Sequence, residues 1–104
     1  MFIAMNQFQI HLEHAEEFEK VWIERDRRLT DVPGFLEFKL LRGETDKDAE
    51  TRKYVSHTIW SSEEDFRSWT QSQNFRDAHK SAADNRQMYL GPPVFEGFTV
   101  VRGA

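Results

Sequence analysis

The chain has 104 residues, 38% of them hydrophobic, and a net charge of −4 from 14 basic and 18 acidic side chains. This length fits a single domain, residues 1–104, with one modest core, and the interspersed charges leave no basic stripe for nucleic acid. Cysteine is absent, which excludes disulfides, iron–sulfur clusters and metal sites held by thiolates. The apolar runs are short and the N-terminus lacks a signal-peptide pattern, so we expect a cytoplasmic protein without a membrane segment.

The first half of the chain predicts a strand, a long helix and a second strand. Phe2 to Ile10 is rich in apolar residues and free of Gly and Pro, as in a strand. Glu13 to Leu29 has apolar residues near helical spacing, with glutamates early and arginines late, which favours an amphipathic helix. Pro33-Gly34 ends that helix, Phe35 to Leu41 is the second strand, and the polar segment Gly43 to Glu50 is a hairpin-like loop.

A third strand and a broken helix are predicted next. Tyr54 to Trp60 is rich in β-favouring residues, and Ser61 to Asp65 then supplies a capping box that begins the second helix. Ser72 is placed to cap a second helical piece. We therefore expect Trp69 and His79 to lie on either side of a bend.

The end of the chain completes the order β-α-β-β-α-β, with a loop at Asp84 to Pro93 and a fourth strand at Val94 to Val101. This order predicts an α+β, ferredoxin-like fold, in which both helices cover one face of an antiparallel sheet. In the first strand, alternate positions from Phe2 to Ile10 are mostly apolar, and so are Ile3 and Met5 between them, so both sheet faces have apolar character. We expect a second copy of the chain to cover the free face, giving a homodimer of the dimeric α/β-barrel type.

Three polar or aromatic residues, Asn6, Trp69 and His79, form the most informative set. A histidine is a strong ligand of haem iron, a tryptophan offers a flat apolar wall to a porphyrin, and an amide can hydrogen-bond an iron-bound oxygen species. An amide among the apolar residues of the first strand costs about 1–3 kcal/mol if it is buried without a partner. Taken singly, each has an ordinary interpretation: an amide satisfied by backbone, a core tryptophan, and a surface histidine. Together they suggest a haem site.

Other candidates have weaker support. Tyr54 and Tyr89 are fallback iron ligands, and His57 is predicted to face either the sheet interior or the dimer contact. His11 and His14 lack a matching ligand cluster and are interpreted as surface residues.

Several segments carry a family resemblance, beginning with Asn6 and extending over most of the chain. They are Pro33-Gly34-Phe35-Leu36-Glu37-Phe38-Lys39-Leu40-Leu41-Arg42, Tyr54-Val55-Ser56-His57-Thr58-Ile59-Trp60, and Phe66-Arg67-Ser68-Trp69 leading to Ala78-His79. This pattern resembles the antibiotic biosynthesis monooxygenase superfamily and, within it, the IsdG-like haem-degrading monooxygenases.

The resemblance implies roles for four residues. His79 would be the proximal ligand of the haem iron, Trp69 would press on the porphyrin and ruffle it, and Asn6 would hydrogen-bond the distal ligand. Arg25 occupies a position where some relatives place an arginine near a haem propionate, although Arg25, Arg27 and Arg28 also fit a solvated helix face.

The implied activity is oxidative opening of haem, which acts as both substrate and cofactor. O₂ and external electrons would open the ring and release iron and a linear tetrapyrrole. Because the chain has no flavin fingerprint, a reductase or a small reductant is expected to supply the electrons. Two alternatives stay open: a cofactor-independent monooxygenase of quinol-like aromatics, and a non-catalytic haem-binding module.

Overall fold

The computed structural model describes residues 1–24, 28–73, 75–76 and 82–103. Its strands are β1 (Phe2–His11), β2 (Phe35–Asp46), β3 (Thr51–Trp60) and β4 (Val94–Thr99), and they pair antiparallel in the order β2-β3-β1-β4. The two central strands are thus the first and third of the chain. The predicted ferredoxin-like sheet is confirmed, and β2 extends to Asp46, into the segment Gly43 to Glu50 that is predicted as a loop.

Two α-helices cover one face of the sheet, α1 (Ala15–Glu24) and α2 (Glu63–Thr70). The helix predicted from Glu13 to Leu29 is shorter than expected, because 3-10 turns at Leu12–His14 and Arg28–Asp31 flank α1. Such tight turns are common where a helix begins or ends. No helix of the described residues is long and apolar enough to cross a membrane.

The start of α2 and the bend after it agree with the predicted caps. Ser62 is the N-cap: its hydroxyl accepts a hydrogen bond from the Asp65 N–H (3.1 Å) and donates one to the Asp65 carboxylate (3.0 Å). Farther on, the Ser72 hydroxyl accepts from the N–H of Phe75 (3.2 Å). The polypeptide therefore bends after Trp69, as predicted.

The segment before β4 differs from its prediction as a loop. Residues Ala82–Met88 form a 3-10 helix, Met88 is buried, and Tyr89 bridges to Ile10 on β1. The Leu90 N–H also donates to the carbonyl of Gln9. Packing of the Met88 side chain against the core orders a segment whose polar composition predicts an irregular one.

The opposite face of the sheet carries apolar side chains beside the polar Gln7, Glu37, Lys39 and Glu96, and it has no helix over it in the described ranges. Strand pairing places these side chains together on it: Ile3, Met5, Leu41, Val55, His57, Ile59, Val94 and Phe98. Leu41, Val94 and Phe98 each expose at least two-fifths of their surface. His57 lies on this face and not on the one that the helices cover, and the dimer contact expected there stays a prediction.

Candidate functional site

Four side chains form a row across the middle of the sheet, on the face that the helices cover. Asn6 on β1 is paired with Ser56 on β3 and with Phe95 on β4, and Ser56 is paired in turn with Leu40 on β2. We call Leu40, Ser56, Asn6 and Phe95 the central row. Its two middle members are polar and its two outer members are apolar.

The central row separates two apolar clusters. The first cluster contains Phe8, Ile10, Phe18, Tyr54 and Met88. The second contains Phe2, Ala4, Trp60 and Phe66. Asn6 and Ser56 belong to neither cluster. Ser56 is nevertheless buried, with 6% of its surface exposed. The hydrophobic interior is therefore interrupted by a pair of polar side chains at its centre.

The hydrogen bonds of these polar side chains differ from those of their neighbour Thr58. The Thr58 hydroxyl accepts from the Trp60 indole N–H (2.9 Å) and donates to the carbonyl of Ala4 (3.3 Å). In the part of the chain that the structure describes, neither the Asn6 amide nor the Ser56 hydroxyl has a side-chain hydrogen bond. Both groups thus keep their hydrogen-bonding capacity available.

An aromatic wall rises on the α2 side of the central row. The Trp69 ring, in the last turn of α2, lies with its centroid 5.3 Å from that of Trp60 and 4.8 Å from that of Phe75. Phe66 of the same helix stacks on Phe95, the outer member of the row, at 5.6 Å. Trp69 is half-buried, so part of its surface can contact a ligand.

A second aromatic pair joins α1 to the edge strand β2. Trp22 stacks on Phe38 with their rings 7° from parallel and their centroids 5.7 Å apart. A cavity of about 140 Å³ lies there, lined by Trp22, Ile23, Phe38, Lys39 and Leu40. This volume is smaller than the roughly 300–1,000 Å³ of typical ligand pockets. The cavity can therefore hold only part of a large ligand.

Two of the four predicted site residues can be placed. Asn6 lies in the central row and Trp69 in the wall beside it, whereas Arg25 and His79 lie outside the described residues. Ser56 was not among the predicted site residues. Its signal is the alternation of β3, because a polar residue between Tyr54 and Thr58 shares their face of the strand.

The fallback ligand Tyr54 is already engaged with α1. Its hydroxyl donates to the Glu19 carboxylate (2.5 Å), which also accepts two hydrogen bonds from the Arg42 guanidinium, at 2.9 and 2.5 Å. Burial and then the bond to Glu19 raise the pKa of Tyr54, which disfavours a phenolate. The hydrogen bond from Tyr54 on β3 to Glu19 therefore holds α1 against the sheet.

The remaining histidines of the described residues do not form a metal-binding cluster. Within the described ranges, no group of three or more His, Cys, Asp or Glu side chains is placed to hold a metal ion. His14 hydrogen-bonds Glu17 within the first turns of the α1 region (3.3 Å), as expected of a surface residue. The Nδ1 atom of His57 is buried without a partner among the described residues, on the face away from the central row.

Comparison with known proteins assigns the fold to a family. The family model for antibiotic biosynthesis monooxygenases matches residues 1–81. A haem-degrading monooxygenase of Halalkalibacterium halodurans is 35% identical over 72 residues, which are 69% of this chain and 60% of that protein. The chain thus spans less than two thirds of the length of this curated relative.

Solved structures with similar folds include enzymes of two kinds. A mutant of MhuD, with two manganese protoporphyrin IX molecules bound per active site, is 26% identical, with a TM-score of 0.74 over 100% of this chain and 98% of that one. MhuD is a haem degrader of Mycobacterium tuberculosis. A mutant of SnoaB, a cofactor-independent oxygenase of Streptomyces nogalater, is 27% identical, with a TM-score of 0.70 over 99% and 94% of the two chains.

Proposed function

Because the chain belongs to the antibiotic biosynthesis monooxygenase family, we propose that it is a haem-degrading monooxygenase. The observation that carries the proposal is the Asn6 amide, which lies between two apolar clusters with its hydrogen-bonding capacity available. Similarity to a haem-degrading monooxygenase and to MhuD supports haem as the ligand. The proposed reaction opens the porphyrin with O₂ and external electrons and releases iron and a linear tetrapyrrole.

The described residues fit a flat, apolar ligand that has one polar axial position. Trp69 offers a half-buried ring at the edge of the second cluster, and Trp22 and Phe38 offer a stacked pair at the β2 edge of the sheet. Asn6 provides a hydrogen-bond donor on the central strand β1. Apolar walls with a hydrogen-bond donor among them suit a porphyrin, because the polarity and donors of its pocket determine what haem does with O₂.

Each proposed residue has a separate task. Asn6 would donate a hydrogen bond to oxygen bound at the haem, and Trp69 would pack against the porphyrin. His79 is proposed as the proximal iron ligand and Arg25 as the partner of a propionate, both from the resemblance. When bound, haem supplies the iron at which O₂ is activated, and the protein supplies orientation and exclusion of water.

The proposed reaction needs an electron donor, and the protein is proposed to act as a homodimer. A reductase or a small reductant has to deliver the electrons. A homodimer is proposed through the free sheet face, because burying its exposed Leu41, Val94 and Phe98 removes apolar surface from water.

A cofactor-independent oxygenase is the second candidate, and the similarity to SnoaB favours it. In that case Asn6 and Trp69 would bind a quinol-like aromatic, and His79 would act as a base or a hydrogen-bond partner. A non-catalytic haem-binding module would use the same residues without turnover. These three functions differ in haem binding and in the fate of bound haem.

A haemin titration followed by its Soret absorbance tests the proposal. The wild type should show a saturable Soret shift that Asn6→Ala preserves and His79→Ala abolishes, because only the latter removes the proposed iron ligand. Ascorbate, with catalase present, should then bleach the complex in air. Haemin binding without bleaching would indicate the non-catalytic module, and absence of a Soret shift would favour a quinol substrate.

A further inference from the structure

The polar pair at the centre of the sheet contains a residue to which neither the family nor the proposed activity assigns a role. Ser56 is the direct antiparallel partner of Asn6, and both side chains point to the face that the helices cover. Directly opposed residues have their Cβ atoms about 4.5–5.5 Å apart. One ligand atom above this pair can therefore be within hydrogen-bond distance of both side chains.

The Ser56 hydroxyl is unused, although most of the residue is buried. Ser56 is 6% exposed, and its hydroxyl has no hydrogen-bond partner among the residues that the structure describes. Thr58, the next residue on the same face, uses its hydroxyl for both Trp60 and Ala4. Among the described residues, Nδ1 of His57 is the side-chain atom that is fully buried without a partner, so Oγ of Ser56 keeps some exposure and can be reached by a ligand.

The surroundings would strengthen any hydrogen bond made here. Leu40 and Phe95 occupy the outer positions of the row, and an apolar cluster lies on each side of it. Donors fixed in such an apolar environment stabilise charge on a ligand atom more strongly than water does. Asn6 offers an N–H donor and Ser56 an O–H donor.

We propose that the Ser56 hydroxyl is a second hydrogen-bond donor of the site and that it binds, together with the Asn6 amide, a single oxygen or other acceptor atom of the ligand. This inference rests on the proposed function for the identity of the ligand, but the donor pair itself follows from the pairing of β1 with β3. The pair would bind the distal ligand of haem or the oxygen of a phenolic substrate with the same chemistry.

Fluoride binding to the ferric haem complex tests the pair without measuring activity. Fluoride only accepts hydrogen bonds, so Ser56→Ala and Asn6→Ala should each raise its dissociation constant about tenfold, as expected for the loss of one charge-assisted bond. Ser56→Thr retains the hydroxyl and should remain near the wild-type value. Ser68→Ala, an exposed serine of α2, is the matched control.

The Soret titration separates a failure of the inference from a failure of the proposed function. Equal haemin affinity in all variants, with weaker fluoride binding only in Ser56→Ala and Asn6→Ala, supports the pair. Unchanged fluoride binding in Ser56→Ala overturns it. If the wild type does not bind haemin, the proposed function fails, and 4-nitrophenolate replaces fluoride as the acceptor probe. Equal 4-nitrophenolate binding by wild type and Ser56→Ala, or no binding by either, would then overturn the donor pair.

Discussion

Gly34, in the turn that precedes β2, is the position where one added methyl group should disturb the site from a distance. Its φ angle is +83°, and a Cβ at this position would lie 2.5 Å from the Cβ of Asp65 and closer still to its carboxyl group. The Asp65 side chain is held by the Ser62 cap at the start of α2. Gly34→Ala should therefore displace the helix that ends in Trp69.

The magnitude follows from two separate effects. A non-glycine residue at positive φ costs about 1–2 kcal/mol. The overlap with the Asp65 Cβ, which cannot rotate away, adds about 1–3 kcal/mol, as overpacking does elsewhere. Gly34→Ala should lower the free energy of unfolding by about 2–5 kcal/mol, which corresponds to a fall in Tm of about 10 °C or more in a domain of this size.

Gly91 provides a matched control. Its φ angle is +80°, but a Cβ there would meet no atom within 4 Å. Gly91→Ala should cost only the backbone penalty of about 1–2 kcal/mol. Urea unfolding followed by circular dichroism measures both variants. Equal destabilisation of the two would refute the role of the Asp65 contact, and so would an unchanged effect of Gly34→Ala in an Asp65→Gly background.

Three further predictions concern α1 and the free sheet face. Tyr54→Phe should lower the free energy of unfolding by about 0.5–1.5 kcal/mol in urea, because it removes the bond to Glu19 while Glu19 keeps Arg42. Hydrogen bonds from Arg42 and then Tyr54 lower the pKa of Glu19 from 4.5 to about 2. The contribution of Glu19 to the free energy of unfolding should be complete above about pH 4.5 and should be lost as the pH falls through about 2. Urea titrations at several pH values should show that Glu19→Gln weakens this dependence of stability on pH. Ile59→Glu should convert the dimer to a monomer, because Ile59 lies within the proposed dimer face, and light scattering measures the mass of each. A wild type that is itself monomeric would contradict the homodimer.

The fold could be predicted from the sequence because its signals are local. Apolar alternation marks β1, and Ser62 with Asp65 marks the start of α2. The 3-10 helix that contains Met88 could not be predicted, since its order comes from burial of Met88 in the core cluster with Phe8 and Phe18 rather than from its own composition. Tertiary packing thus overrides local propensity there.

The site could be predicted in part, for a related reason. Asn6 is conspicuous because an amide stands out within an apolar strand, but Ser56 in β3 lies between Val55 and His57 and resembles a solvent-facing residue. Which face of β3 is covered depends on where the helices pack, and that is information from the fold. His79 and Arg25 lie outside the described residues, so their roles stay predictions.

The available hydrogen-bonding capacity of Asn6 also has a consequence for stability. A polar group that is retained in an apolar interior for binding should be replaceable at little cost to folding, whereas a structural amide should not. Asn6 and Ser56 therefore differ from Thr58, whose hydroxyl bonds both Trp60 and Ala4. This contrast is what distinguishes a binding pair from ordinary core polarity.

The most direct test of the proposed function is the amount of iron released from the haem complex during incubation with ascorbate and catalase in air. Wild-type protein should release close to one equivalent of iron per bound haem as the Soret band disappears, and His79→Ala should release none above the protein-free control. Haem that stays intact and bound in the wild type, or equal iron release from His79→Ala, would contradict haem degradation through this residue.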